Sequence, residues 1–282
     1  MDVRTGFFVL IILLVAAPAA AQSPTPDDDD RSVEISATAE FGFNAPLYHR
    51  IQYGQDGTYF DYVDEGGQGV LFPFQRYSAE LGLGDRHSVV FLWQPLELDT
   101  RARLDRDVDV YDVTFAEETP VDLLYSFPFY RVSYLYDLLD ADRTSLELGA
   151  SLQIRNATIS FETADGTLRR EQRDVGLVPI IKTRVRHQFP CNWWIGAEAD
   201  GFYAPIRYLN ISDQDVTGAI LDASIRAGYE ISDDIDPFLH LRYRGGGSEG
   251  TSERQADEQP GDGFTRNWLN FLTVSLGVEV SF

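Results

Sequence analysis

Four histidines, His49, His87, His187 and His240, are the candidate general bases in a chain of 282 residues with 45 acidic and 23 basic side chains. An imidazole activates water only when a partner within hydrogen-bond reach orients it. His49 has candidate partners in Asp61 and Asp64, across a hairpin that Gln55-Asp56-Gly57 would turn. A second chemistry is offered by Asp105, Asp107, Asp109, Asp112, Glu117 and Glu118, because hard divalent cations take carboxylate oxygens as ligands. Their spacing matches no calcium-loop motif, so plain solvation competes with cation binding. The single cysteine, Cys191, cannot build an internal disulfide framework. A formal net charge of -22 argues against nucleic acid as a partner. Nothing in these residues calls for a cofactor or a resident metal.

A larger set of ionic residues recurs at every second position. Glu147 and Arg155 fall on one segment, Lys182, Arg184 and Arg186 on the next, then Glu198 and Asp200, then Asp222, Arg226 and Glu230, then His240, Arg242 and Arg244, and Glu279 near the end. Glu34 and Glu40 occupy the same parity on the first segment. Charges at alternate positions share one face of a strand, with apolar residues on the other. Leu272, Val274, Leu276, Val278 and Val280 oppose Thr273, Ser275, Gly277, Glu279 and Ser281 in this way. A basic strand between partly acidic ones predicts ion pairs across neighbouring strands.

Ten such segments are predicted, at 33–43, 76–84, 88–101, 121–138, 144–161, 176–189, 193–204, 217–231, 236–244 and 265–282. Their connections alternate between tight, at 85–87, 139–143, 190–192 and 232–235, and long, at 44–75, 102–120, 162–175, 205–216 and 245–264. Hairpins are expected in the first long loop and at 108–115 in the second; if either reaches the bilayer, the strand count becomes twelve. No segment after residue 21 has the roughly 18 to 20 consecutive apolar residues of a spanning helix. Average hydropathy does not discriminate, since every second residue of a barrel strand is polar. Arg4, the apolar run 7–15 and Ala19-Ala20-Ala21 read as a removable export signal over 1–21. Residues 22–31, with Asp27 to Asp30, read as a disordered acidic leader, and 32–282 as one domain.

An even number of strands with short turns at one end and long loops at the other predicts an all-β, single up-and-down antiparallel transmembrane β-barrel. A last strand that stops on Phe282 resembles the closing strand of bacterial outer-membrane β-barrels, where a terminal Phe belongs to the signal read by the insertion machinery. The chain resembles the small uncharacterised outer membrane protein β-barrel families rather than omptins or large porins. The resemblance covers the whole mature chain and rests on strand pattern and terminal signature. It implies an outer-membrane location with both termini periplasmic. Outer-membrane lipid, lipopolysaccharide and the insertion machinery are the implied partners, with divalent cations at the acidic loops.

Omptins, also ten-stranded, activate water with an Asp pair and an Asp–His couple at the outer mouth. No Asp-x-Asp or Asp-x-His step ends a strand on that side here. Lipid A deacylation needs a Ser–His couple near the outer leaflet, and His187 lies at the other end. The leading expectation is therefore a structural or surface-interaction barrel whose lumen is filled by the ionic residues above. A narrow conduit for small polar solutes is the alternative, because ten strands enclose less space than the 16 to 18 of open porins. A surface hydrolase is the third reading.

Overall fold

The computed structural model describes residues 33–139, 141–205, 215–251 and 262–282. The expected signal peptide and acidic leader lie outside the described residues, as do 206–214 and 252–261 of the last two long loops. Fifteen strands are present among the described residues: β1 (Val33–Tyr53), β2 (Phe60–Asp61), β3 (Phe72–Leu83), β4 (His87–Gln94), β5 (Glu97–Arg103), β6 (Val108–Val110), β7 (Val113–Phe115), β8 (Pro120–Ser126), β9 (Phe129–Asp137), β10 (Thr144–Thr163), β11 (Arg169–Gln188), β12 (Trp193–Pro205), β13 (Asp215–Tyr229), β14 (Ile235–Thr251) and β15 (Phe264–Ser281).

Ten of these close a ring. β1 pairs with β3, β3 with β4, β4 with β9 and β9 with β10; β10 to β15 then pair in succession, and β15 returns to β1, every contact antiparallel. Closure removes the unpaired edges that an open sheet would expose. The fold is thus an all-β outer-membrane-type barrel of ten strands. β2 and the β6–β7 hairpin stand outside the ring, so the count does not rise to twelve. At one end sit the tight turns, where Gly84 and Asn192 adopt positive φ of 63° and 62°, a conformation open to Gly and tolerated by Asn. Phe282 is at this end too, its N–H donating to the Ile35 carbonyl at 2.9 Å.

Parity assigns each face. On β10, Leu148, Leu152 and Ile154 are exposed outward while Glu147, Ser151 and Gln153 are buried inward. Phe41 and Phe43 on β1, Leu221 and Ile225 on β13, and Val274 and Leu276 on β15 continue an outer apolar belt. So much exposed apolar surface is stable only against hydrocarbon.

Above the belt the strands run on further than their pattern indicated, and their chemistry inverts. β1 continues to Tyr53 and pairs with β15 up to Thr265, so 44–53, expected in a loop, is wall. β10 and β11 pair from Thr144↔His187 to Glu162↔Arg169, which shrinks the loop expected at 162–175 to a turn. The strands expected at 88–101 and 121–138 are each broken near a proline, Pro95 and Pro128, which lack the N–H a ladder needs. β5 and β8 pair with each other above the breaks, and β8 takes over from β9 as the partner of β10.

In this upper part the inward residues are Ile159 and Phe161 on β10, Leu123 and Tyr125 on β8, Leu98 on β5 and Ile51 and Tyr53 on β1. They pack with Phe60 and Tyr62 from the first loop and with Val108, Val110 and Phe115 from the second into one apolar core. The expectation that oily residues face outward along whole strands therefore holds only through the belt. Beyond it the outer face meets water, and burial inside again favours apolar side chains.

Candidate functional site

The ionic residues expected inside the lumen converge, together with several that the charge pattern does not single out. Arg76 Nη1 donates to Glu40 Oε1 at 2.9 Å, and the other Glu40 oxygen lies 2.6 Å from His240 Nδ1 and 3.0 Å from the donating Ser275 hydroxyl. Glu198 accepts from Lys182 Nζ at 2.7 Å and lies 2.9 Å from Arg226 Nη2; Lys182 also reaches Asp200 at 3.2 Å. Arg131 crosses the lumen to Asp200 and takes Gln153 Oε1 at 2.7 Å. Arg242 grips Asp222 with two nitrogens and donates to Gln94 at 3.0 Å. Nearer the turns, Arg184 bridges Glu147 and Glu80, the latter through two contacts of 2.6 Å.

Every strand of the ring contributes to this layer: Glu40, Arg76, Gln94, Arg131, Gln153, Lys182, Glu198, Asp222, His240 and Ser275 come from the ten in turn. Arg76, Arg131, Lys182, Arg184, Arg226 and Arg242 face Glu40, Glu80, Glu147, Glu198, Asp200 and Asp222, six charges of each sign. Within this layer a chain of net charge -22 is thus balanced. Removing one member of such a set strands its partner in a low-dielectric interior.

Other expected members lie off this layer. Arg186 sits at the turn end, stacked 4.0 Å over the Trp194 ring and 2.7 Å from Asp236, with Glu279 at 3.5 Å and Glu230 at 3.9 Å. Arg155 pairs above the layer with Asp174. Arg244, expected among the paired charges, forms no hydrogen bond or ion pair among the described residues; its guanidinium lies over Phe129 and Phe271 at 5.3 and 5.5 Å. Asp222, its register partner on β13, is already held by Arg242. Trp194 and Phe129 are buried inward as well. Arg76 and Glu80, four residues apart on β3, and Arg131 on β9 also occupy the inward parity, but no basic strand flanked by acidic ones marks them in the sequence.

His49 is fully buried, stacked on Tyr62 at 4.4 Å with its Nδ1 2.7 Å from Gln68 Oε1. Asp61, expected as its acid, pairs instead with Arg50 at 2.6 Å. A register shift between Pro46 and Tyr48 is the cause. Such a bulge reverses which parity faces inward, so His49 turns into the core and Arg50 away from it. His87 meets the Tyr134 hydroxyl at 2.7 Å and His187 the Thr144 hydroxyl at 2.8 Å, both at the turn end. The acids of the second loop are dispersed into local contacts: Asp107 accepts the Glu117 N–H, Asp109 the Thr114 hydroxyl, and Asp112 meets Arg170. They form no group of three that could hold a metal ion among the described residues.

Two cavities flank the ionic layer. A vestibule of about 500 Å³ opens among Glu34, Glu80, Arg184, Arg186 and Glu279 at the turn end. A second, of about 480 Å³, lies on the other side, between the ionic layer and the apolar core.

No protein-family model and no curated protein matches the chain. Solved structures similar to it include the outer membrane protease OmpT from Escherichia coli (12% identity, 93% of this chain and 99% of that one, TM-score 0.45). The transport unit of the autotransporter AIDA-I from Escherichia coli is similar at 10% identity, over 93% of each chain, with a TM-score of 0.39. The attachment invasion locus protein Ail of Yersinia pestis is similar at 8% identity, over 88% of this chain and 99% of that one, with a TM-score of 0.32. Likeness at this level concerns the fold alone.

Proposed function

We propose that this chain is a structural or surface-interaction barrel of the bacterial outer membrane whose lumen is closed to passive flow. The observation that carries the reading is the buried ionic layer, to which all ten strands of the ring contribute and in which each charge is met by an opposite one. An aqueous pore needs water-filled space along its whole axis; here both cavities end on this layer. The turn end, with Phe282, would face the periplasm and the apolar core beneath the loops would stand outside the cell, held rigid enough to present a fixed surface. Outer-membrane lipid, lipopolysaccharide and the insertion machinery are the partners that this placement implies.

Planar-bilayer recording on the refolded protein tests the reading. A membrane that carries the protein and stays silent is the expected result. Discrete conductance steps from the unmodified chain would instead support a conduit and discard the closed lumen.

A further inference from the structure

Among the described residues, the β11–β12 seam of the ring is paired over only part of its height. β11 is hydrogen-bonded to β10 up to Arg169, and β12 to β13 up to Pro205, but the β11–β12 ladder stops at Ile181↔Gly201. Beyond it, residues 177–180 and 202–205 face each other without pairing. Four residues of strand correspond to a slot about 13 Å tall. Pro179 lies in this stretch and has no N–H to offer a ladder. The inward residues beside the slot, Gly176, Val178 and Phe202, are only half-buried, whereas Ile180 and Lys182 below it are fully enclosed.

The slot opens on hydrocarbon rather than water. Val175, Leu177 and Ile181 on β11 and Tyr203 on β12 point outward beside it with exposures of 64 to 75%. Behind it lies the cavity of about 480 Å³, a size within the 300 to 1,000 Å³ of small-molecule sites. Phe202, Ile220 and Ile159 line it, and Gly245, Gly246 and Gly247 add a stretch of wall with no side chains. Arg244 also lines it, 7% exposed, with its Nη1 buried and unpartnered. A buried cation beside the balanced layer, whose register partner Asp222 is already gripped by Arg242, carries an energetic deficit that an anionic ligand would relieve.

We infer that the slot between β11 and β12 is a lateral portal through which a long-chain carboxylate, a fatty acid, enters from the bilayer, setting its head on Arg244 and its chain along the apolar wall toward the lipid. One unpaired guanidinium and one narrow opening suit a single anionic head on a single chain.

The test uses cis-parinaric acid, a fluorescent fatty acid, with the refolded protein in lipid nanodiscs and empty nanodiscs as the background. Saturable binding of the acid, and roughly ten- to a hundredfold weaker binding of its methyl ester, is expected. Arg244→Gln should weaken the acid by the same factor, and Arg244→Lys should retain most of the affinity. Because Arg244 is engaged in no ion pair, both variants should keep the gel mobility of the folded barrel. Val178→Trp, which fills the portal, should abolish binding. Equal affinity for acid and ester, or unchanged affinity in Arg244→Gln, overturns the site; unchanged affinity in Val178→Trp overturns the portal. Displacement of the probe by lysophosphatidylglycerol but not by oleate overturns the carboxylate in favour of a phosphate head.

Discussion

The turn-side and loop-side halves of the barrel are opposites. Below, the wall is oily outside and ionic inside; above, it is polar outside and oily inside. β10 passes through both: Leu148, Leu152 and Ile154 face out below, and Asn156, Thr158 and Glu162 take over that parity above, while Gln153 inside gives way to Ile159 and Phe161. The backbone hardly changes. What changes is the medium on its outer face, which shows that an alternating strand specifies a difference between two faces and leaves the surroundings to decide which face holds the apolar residues.

The largest effect that would distinguish the halves comes from the ionic one. Arg242→Met strips the two-nitrogen grip from buried Asp222, leaving Arg131 at 3.7 Å and its register partner Arg244 as the cations that face it, and should cost about 3 kcal/mol, the low end for a broken buried pair, in urea unfolding followed by tryptophan fluorescence. Adding Asp222→Leu should recover most of that loss, since an apolar pair of similar volume substitutes well for a buried ion pair. If the double variant is as unstable as the single one, the ionic half is held by more than charge compensation. In the apolar half, Phe161→Ala should cost roughly 3 kcal/mol by the same measurement, the low end for a buried Phe because the loops can settle into the space. No second substitution of opposite polarity should rescue it.

A functional contrast follows. Replacing residues 55–70 with a short turn removes Phe60 and Tyr62 from the apolar core but leaves the ionic layer intact. Bilayer recordings should remain silent, and conductance steps would move the seal from the lower half to the upper. The smallest effect concerns the turn after β10. Asp165 accepts from the Thr163 and Thr167 hydroxyls and from the Thr167 N–H, which hold its carboxyl at about 2, below its ordinary 3.8. A depressed value means the contribution is present above the ordinary value and fades as pH falls toward the folded one. Asp165→Asn should therefore lower the melting temperature slightly near neutral pH and converge with the unmodified protein near pH 2; a gap that widens on acidification contradicts this.

How much of this was legible in the sequence depended on whether the signal was repeated. The ring, its tight turns and the pairing of β1 with β15 follow from alternation sustained over many residues. Lys182, Arg184 and Arg186 announced themselves by their spacing. His49 falls in a segment whose pattern indicates a loop, whereas 44–53 is wall, and one extra residue between Pro46 and Tyr48 then turns its side chain inward without altering composition. The apolar core was missed for a related reason: Ile159 and Phe161 look like any other alternating pair, and only the height of the belt shows that they lie above it. Arg244 followed the right parity, and its lack of a counterion arises from a competition for Asp222 that no pattern along one strand displays.

The ionic layer has a consequence for how the chain reaches its final form. Arg131 meets Asp200 across 69 residues of sequence, Arg184 meets Glu80 across 104, Arg242 meets Gln94 across 148, and His240 meets Glu40 across 200. Neighbouring hairpins cannot make these contacts; they arise only as the sheet curls until strands far apart in the ring face one another across the lumen. Half-built intermediates would therefore carry uncompensated charge on the side that must not touch lipid acyl tails, and the final seam would lock many of these partners together in one late, concerted event.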